Sequence, residues 1–388
     1  MKIGIDARWI LAELSGIGAY TRELIRRLVL QDGDNKYVLF FDDENRMNEV
    51  MAGTGASRIA RFQAHRLPYG PFSPRGQFEL PGLFRELQLD VFHSTNYMIP
   101  LFAFPRKWFG LRRKGHRGAR CVVTIHDVIP LVFPHYAPRS KKARLFPVYR
   151  RLMMEVGARA DRILTDSRAS HDDVIRHLRI PASRHADVQA IPIGVAPEFK
   201  PGERPAPDHK TILYVGRLDP YKNVPGLVRV LSRVRALSSL DVRLKIAGPP
   251  DPRYPEAMDL AKELGLHHWI EWTGYLSTSE LVRTYQQADV LALLSKYEGF
   301  GLPVLEAMAC GTPVVCSNCA SLPEVAGAAA LLVDPTHIDE AADAIVRILK
   351  DESLAAGLRE KGLRQAAKFT WADTARATLE AYRRAVAE

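Results

Sequence analysis

Two acids, Glu298 and Glu306, stand with seven residues between them in Tyr297-Glu298-Gly299-Phe300-Gly301-Leu302-Pro303-Val304-Leu305-Glu306. Gly299 and Gly301 permit a tight turn with exposed backbone N–H groups. Pro303 suits the start of a helix, and Gly311 followed by Pro313 ends it early. A helix start of this kind presents free N–H donors and positive partial charge. Glu298 precedes that start and Glu306 lies about one turn inside it, so both carboxylates are placed to reach one ligand. Carboxylates accept hydrogen bonds from vicinal hydroxyls, as in a sugar or a ribose.

Two cations follow a second apolar run in Val215-Gly216-Arg217-Leu218-Asp219-Pro220-Tyr221-Lys222-Asn223. Arg217 offers a planar fork of donors and Lys222 a compact charge. Five residues apart across a proline-containing loop, they suit a diphosphate clamp. In the first half, Ser15-Gly16-Ile17-Gly18-Ala19-Tyr20 opens a helix after the first strand, where Gly16 and Gly18 let backbone approach a phosphate. Thr124-Ile125-His126-Asp127 closes another strand, and His126 there could donate to a sugar hydroxyl or to developing charge. No Ser-His-Asp pattern, zinc spacing, P-loop or Asp-x-Asp run is present, so the reading is metal-free, with the cations and the helix start in place of an ion.

These groups need a scaffold. The chain has 388 residues, too many for one ordinary core. Strand-like runs alternate with helical patterns, which predicts parallel sheets covered on both faces. The expected strands are Ile3–Ala7, Tyr37–Phe40, Val91–His93, Cys121–His126, Ile163–Thr165 and Val188–Ile191, then Thr211–Val215, Arg243–Ala247, Ile270–Trp272, Val290–Leu294, Pro313–Cys316 and Ala330–Val333. Helices are expected at Ala19–Leu30, Phe78–Leu87, Lys141–Val156, His171–Leu178, Ile338–Lys350 and Trp371–Val386. The proline-rich Phe199–His209 interrupts the alternation. The expected architecture is α/β: one Rossmann-like domain over 1–200, a linker at 201–209 and a second Rossmann-like domain over 210–370. A terminal helix over 371–388 would pack back on the first domain. Doubly wound sheets bind ligands beyond the carboxyl ends of their strands, which puts the chemistry in an interdomain cleft.

Composition excludes several classes. At 47% apolar and 25% charged, the chain is neither disordered nor fibrous. Four cysteines form no framework, and Cys316-Ser317-Asn318-Cys319 reads as small buried residues in a reducing cytoplasm. The N-terminus reads as a strand and not as a signal peptide. The net charge of +10 is uneven: residues 1–200 carry 32 Lys+Arg against 20 Asp+Glu, the remainder 22 against 24. Residues 105–120 hold seven Lys+Arg, no acid, and Trp108, Phe109 and Leu111 among them; Arg139, Lys141, Lys142 and Arg144 follow. Cations interleaved with aromatics suit an anionic membrane surface. The expectation is peripheral attachment to the inner face of the cell membrane. No nucleic-acid motif accompanies the charge.

With these residues in place, the sequence resembles family 4 of the retaining glycosyltransferases, which have the GT-B fold. The resemblance covers nearly the whole chain, and Glu298 and Glu306 match that family's E-x7-E motif. It implies that Glu298 holds the donor sugar's hydroxyls and Glu306 the ribose, with the backbone at Phe300, Gly301 and Leu302 over the sugar and phosphate. Arg217 and Lys222 match the diphosphate pair, Gly16 to Gly18 the first-half glycine loop, and Gly274-Tyr275-Leu276 the turn beside the nucleobase, which makes Leu276 a donor contact. Ile191-Pro192-Ile193-Gly194-Val195 is similar to the family's Ile-Pro-Asn-Gly-Val stretch, with Ile193 in place of Asn. Ile5-Asp6-Ala7-Arg8 and His126-Asp127-Val128-Ile129-Pro130 are similar to segments of bacterial mannosyltransferases that build O-antigen or exopolysaccharide. The implied reaction is retaining transfer of a hexose, first choice mannose from GDP-mannose, to a glycan or lipid-linked acceptor without a cofactor. A UDP-sugar donor, a nucleotide-sugar epimerase and a non-catalytic sugar-nucleotide-binding partner are the alternatives.

Overall fold

The structure is a computed structural model that describes residues 1–11, 16–107, 118–134, 145–203 and 208–387. The chain divides into two compact units. One is drawn from Met1–Val132, Leu145–Gly194 and Thr370–Glu388, the other from Val195–Phe369 with a segment beginning at Phe133.

The first unit holds seven parallel strands: β1 (Lys2–Asp6), β2 (Lys36–Phe41), β3 (Phe62–Arg66), β4 (Val91–Ser94), β5 (Arg120–Thr124), β6 (Arg162–Thr165) and β7 (Val188–Ala190), in the order β3-β2-β1-β4-β5-β6-β7. The second holds six: β8 (Lys210–Val215), β9 (Val242–Ala247), β10 (Ile270–Gly274), β11 (Val290–Leu293), β12 (Val314–Ser317) and β13 (Leu331–Val333), in the order β10-β9-β8-β11-β12-β13. Each order reverses once, between β1 and β4 and between β8 and β11. Central strands such as β11 (Val-Leu-Ala-Leu) are buried at every residue, which requires cover on both faces and explains their unbroken apolar runs.

Three elements escape the sequence pattern for identifiable reasons. Strand β3 lies at the sheet edge and buries only Phe62, so no apolar alternation marks it. The helix Glu44–Gly53 buries only Val50; Asp43 caps it by accepting from the Arg46 amide. The helix Glu352–Ala366 packs through small residues, Ala355, Gly362 and Ala366 with Leu358, and is capped by Asp351. Among the boundaries that move, two bear on candidate site residues. The first helix runs Gly16–Gln31, so Gly16 and Gly18 sit inside its first turn and not in a loop before it. Strand β5 stops at Thr124, which leaves His126 two residues beyond it.

The terminal helix Trp371–Ala387 belongs to the first unit and is fastened by buried polar contacts. Tyr382 Oη lies 2.6 Å from His93 Nδ1, and His93 Nε2 lies 2.9 Å from Thr124 Oγ1. Burial, helped by nearby His126, pushes His93 down to about 3, so the ring is a neutral hydrogen-bonding link. Thr374 donates to the Pro192 carbonyl at 2.8 Å. At Gly194 the backbones of the two segments nearly touch: a Cβ there would lie 2.1 Å from the Trp371 nitrogen.

Gly194→Ala is therefore expected to lower unfolding stability by about 1–3 kcal/mol, the usual scale of overpacking. Gly16→Ala, whose Cβ would meet no described residue within 4 Å, is expected to leave stability unchanged or slightly raised. Denaturant titration of the two variants checks the contrast.

Candidate functional site

The strand order of the second unit reverses between β8 and β11, and in doubly wound sheets that is where ligands bind, beyond the strands' carboxyl ends. The loops leaving β8 and β11 are fastened to one another there. The Lys296 amide donates to the Tyr221 carbonyl at 2.7 Å, and Asn223 Nδ2 donates to the Leu294 and Pro335 carbonyls at 3.1 and 2.8 Å. Asn223 adopts a left-handed conformation (φ 57°) that ends the turn Pro220–Lys222 and starts the helix Val224–Leu237. Lys222 is thereby carried to the β11 loop.

Lys222 Nζ reaches both carboxylate oxygens of Glu298 at 2.8 Å. Ser295 Oγ donates to Glu298 Oε1 at 2.7 Å. Ser321 Oγ lies within hydrogen-bonding distance of the Glu298 and Phe300 carbonyls, which holds the glycine-rich turn from beneath. Gly301 ends that turn at φ 111° and caps the helix Leu302–Ala309; a Cβ would lie 2.6 Å from Leu322 Cδ2, so only glycine fits. Phe300 is buried with its ring against Phe369, and Leu302 is half-buried at the helix start.

Glu306 sits on that same helix in a different environment. Its carboxylate has no cation partner among the described residues; Tyr285 Oη donates to Oε2 at 2.7 Å. Burial pushes the Glu306 carboxyl up to about 7, with the Tyr285 hydrogen bond working in the opposite direction. A carboxyl raised this far in a strand-end site is the kind of perturbation that marks functional groups.

The other candidate residues of this unit are less closely joined. Arg217 is exposed and paired to Asp219 at 3.0 Å, on the same loop as Lys222. Leu276 is half-buried on the turn after β10, with Tyr275 beside it 60% exposed; Ser277 and Glu280 then form a capping box for the helix Thr278–Gln287. A groove of about 570 Å³ lined by Arg243, Lys245, His268 and Glu271 lies at the amino ends of β8 to β10, opposite the loops described here.

Gly16, Gly18 and His126 belong to the first unit. Gly16 is exposed and Gly18 buried at the start of the first helix. His126 has protein partners at both nitrogens: Asp166 at 2.6 Å from Nδ1 and the Thr95 carbonyl at 3.0 Å from Nε2. Burial disfavours its charged form, but Asp166 and the carbonyl outweigh that and raise its pKa. Of the basic stretch, residues 108–117 and 139–144 lie outside the described residues. Arg106 pairs with Glu155, and Lys107 and Arg120 pair with Asp161. No described helix is long and apolar enough to cross a membrane.

Sequence reasoning missed Tyr285, Ser295, Asn223 and Ser321. Each acts through a contact 21 or more residues away except Ser295, which meets Glu298 three residues on. Only Ser295 had a local signal, a hydroxyl one turn before the acid.

Comparison with known proteins bears on the whole chain. Residues 195–365 match the family described as Glycosyl transferases group 1, and residues 14–199 the one described as Glycosyltransferase Family 4. The chain is 29% identical over 405 residues to the O-antigen chain mannosyltransferase B of Escherichia coli, covering 99% of this chain and 100% of that protein. It is 28% identical over 306 residues to the serotype-specific mannosyltransferase WbdA of Escherichia coli, covering 75% of this chain but 35% of that longer protein. It is 32% identical over 355 residues to a D-inositol 3-phosphate glycosyltransferase of Saccharomonospora viridis, covering 83% and 79%. Among solved structures, a sucrose-phosphate synthase from Thermosynechococcus elongatus superposes with a TM-score of 0.73 at 22% identity, covering 99% and 98%. Anabaena HepE in complex with UDP and glucose gives 0.71 at 16%, covering 98% of each chain. At these identities the likeness is one of fold.

A carboxyl whose folded pKa exceeds its unfolded value stabilises the fold while protonated, below about pH 4.5, and progressively less as pH rises through about 7. Glu306→Gln keeps an acceptor for Tyr285 and removes that loss. It is expected to raise stability by ~1–3 kcal/mol at pH 8 and by little at pH 4.5, read from unfolding curves at the two pH values.

Proposed function

The chain belongs to glycosyltransferase family 4 and has the GT-B fold, and from that premise we propose that it transfers a hexose from a nucleotide sugar to a glycan or lipid-linked acceptor, with mannose from GDP-mannose as first choice. The observation that carries the reading is the Lys222–Glu298 pair across the reversal point of the second unit. A cation and an acid held together there fit the adjoining halves of an activated sugar, its diphosphate and its hydroxyls. The relatives named as mannosyltransferases support mannose.

In this mechanism Arg217 and Lys222 hold the diphosphate, Glu298 the sugar hydroxyls and Glu306 the ribose. The first unit holds the acceptor. The bond from the sugar's anomeric carbon to the phosphate oxygen breaks, and its electron pair leaves with the diphosphate. The acceptor oxygen bonds to that carbon from the same face and passes its proton to the leaving phosphate oxygen, so configuration is retained. Charge grows on the diphosphate as the bond breaks, so the two cations bind the transition state more tightly than the ground state. No metal is needed for that role.

Attachment to an anionic membrane surface forms part of the proposal. It draws on the charge of the first 200 residues and on Phe78 and Phe102, which are 72% and 65% exposed with ring centroids 5.3 Å apart. Exposed aromatic rings suit a lipid interface.

Lys222→Ala is expected to lower kcat/KM by ~100–1000-fold, roughly 3–4 kcal/mol of transition-state stabilisation. Wild-type turnover in that variant, measured on purified protein with sugar donor and acceptor glycan, would sink the mechanism. In a thermal-shift panel, GDP-mannose at 100 times its dissociation constant should stabilise the protein by about 2.7 kcal/mol, more than UDP- or ADP-sugars at the same concentration. Larger shifts with a UDP-sugar reassign the donor. In flotation at moderate salt, the protein should rise with anionic vesicles and not with neutral ones; equal behaviour removes the membrane component.

A further inference from the structure

We propose that Tyr285 is a positioning residue for the donor's ribose: its hydroxyl holds one oxygen of Glu306 so that the other faces the ribose diol. The inference rests on the reading of Glu306 as the ribose acid and deepens it. Tyr285 is fully buried on the helix Thr278–Gln287, and its hydroxyl hydrogen is aimed at Glu306 Oε2, 2.7 Å away. The tyrosine is itself fixed from two sides. Thr312, just beyond the helix that carries Glu306, donates to the Tyr285 carbonyl at 2.6 Å, and the Phe199 ring meets the Tyr285 ring edge-on at 5.9 Å. The helix of Tyr285 is thus tied to the helix of Glu306 by a side-chain bond and to the segment just past it by a hydroxyl-to-carbonyl bond.

The pairing also decides what Glu306 leaves available. Oε2 is occupied by the phenol, and Oε1 has no protein partner among the described residues. A carboxylate anchored at one oxygen presents the other in a fixed direction, which is what bonding to a pair of ribose hydroxyls requires. Among the described residues, the titratable groups at Glu306 are Tyr285 from the neighbouring helix and Cys310 from the end of its own, and no charged group from β11, β12 or the helices Leu322–Ala326 and Glu352–Ala366 acts on it. Burial raises the Glu306 carboxyl and the phenol lowers it. Without the phenol the acid ionises at higher pH.

The test compares binding of GDP with 2′,3′-dideoxy-GDP by calorimetry from pH 6 to 9, in the wild type, Tyr285→Phe, Glu306→Gln and the double variant. The wild type is expected to prefer GDP, and Tyr285→Phe to cut that preference roughly tenfold at pH 7, the scale of one hydrogen bond to a charged group. The midpoint of the pH dependence should move upward in Tyr285→Phe. Adding Tyr285→Phe to Glu306→Gln should change the preference no further, because the hydroxyl acts through the carboxylate. A merely structural tyrosine would weaken both nucleotides alike and leave the pH midpoint in place, and that result overturns the proposal. A wild type that binds both nucleotides equally overturns the ribose reading and the proposal with it. Loss of preference in Glu306→Gln with full preference in Tyr285→Phe overturns the proposal alone.

Discussion

The Lys222–Glu298 ion pair is the constraint around which the second unit's site is arranged. Its side chains are 16% and 8% exposed, so each charge has given up most of its hydration and depends on the other. Such a pair persists only with good geometry and further hydrogen bonds, and both are present. The ammonium spans the two carboxylate oxygens, and Ser295 donates to one of them. Holding the pair in place forces the β8 and β11 loops together, which the Lys296–Tyr221 and Asn223–Leu294 bonds accomplish through backbone groups. The left-handed turn at Asn223 and the glycine at 301 are local costs of that arrangement.

Glu298 and Glu306 show how one motif supplies two different acids. Glu298 is matched by a cation and a hydroxyl. Glu306, seven intervening residues on, has no cation beside it among the described residues and accepts from a phenol, and burial pushes its carboxyl up to about 7. Like groups held in different surroundings divide labour in many sites. In the proposed mechanism the division is between the sugar and the ribose of one donor.

The first unit contains a parallel contrast between two histidines. His93, fully buried between Tyr382 and Thr124, is kept neutral and serves as a structural link to the terminal helix. His126, beside Asp166 and the Thr95 carbonyl, is pushed toward the charged form. Residue type alone does not distinguish them. The carboxylate next to His126 does, since no described acid stands against His93.

Much of the architecture was legible in the chain order. Runs such as Thr211–Val215 and Val290–Leu294 read as strands because a strand buried on both faces leaves no room for polar alternation. The turn at Gly299–Gly301 and the proline behind it announced a helix start, and the family motif marked Glu298, Glu306, Arg217 and Lys222 as a group. Strand β3 stayed hidden because an edge position asks little of its side chains. What only folding decided was partnership. That Lys222 would meet Glu298 across 76 residues, that Tyr285 would reach Glu306, and that Tyr382 would reach His93 across 289 depends on parallel strands being brought side by side out of sequence order. Hydrophobic periodicity records which face of an element is buried. It carries no information about which distant polar group will be waiting there, because that is set by sheet order and by the register of packing.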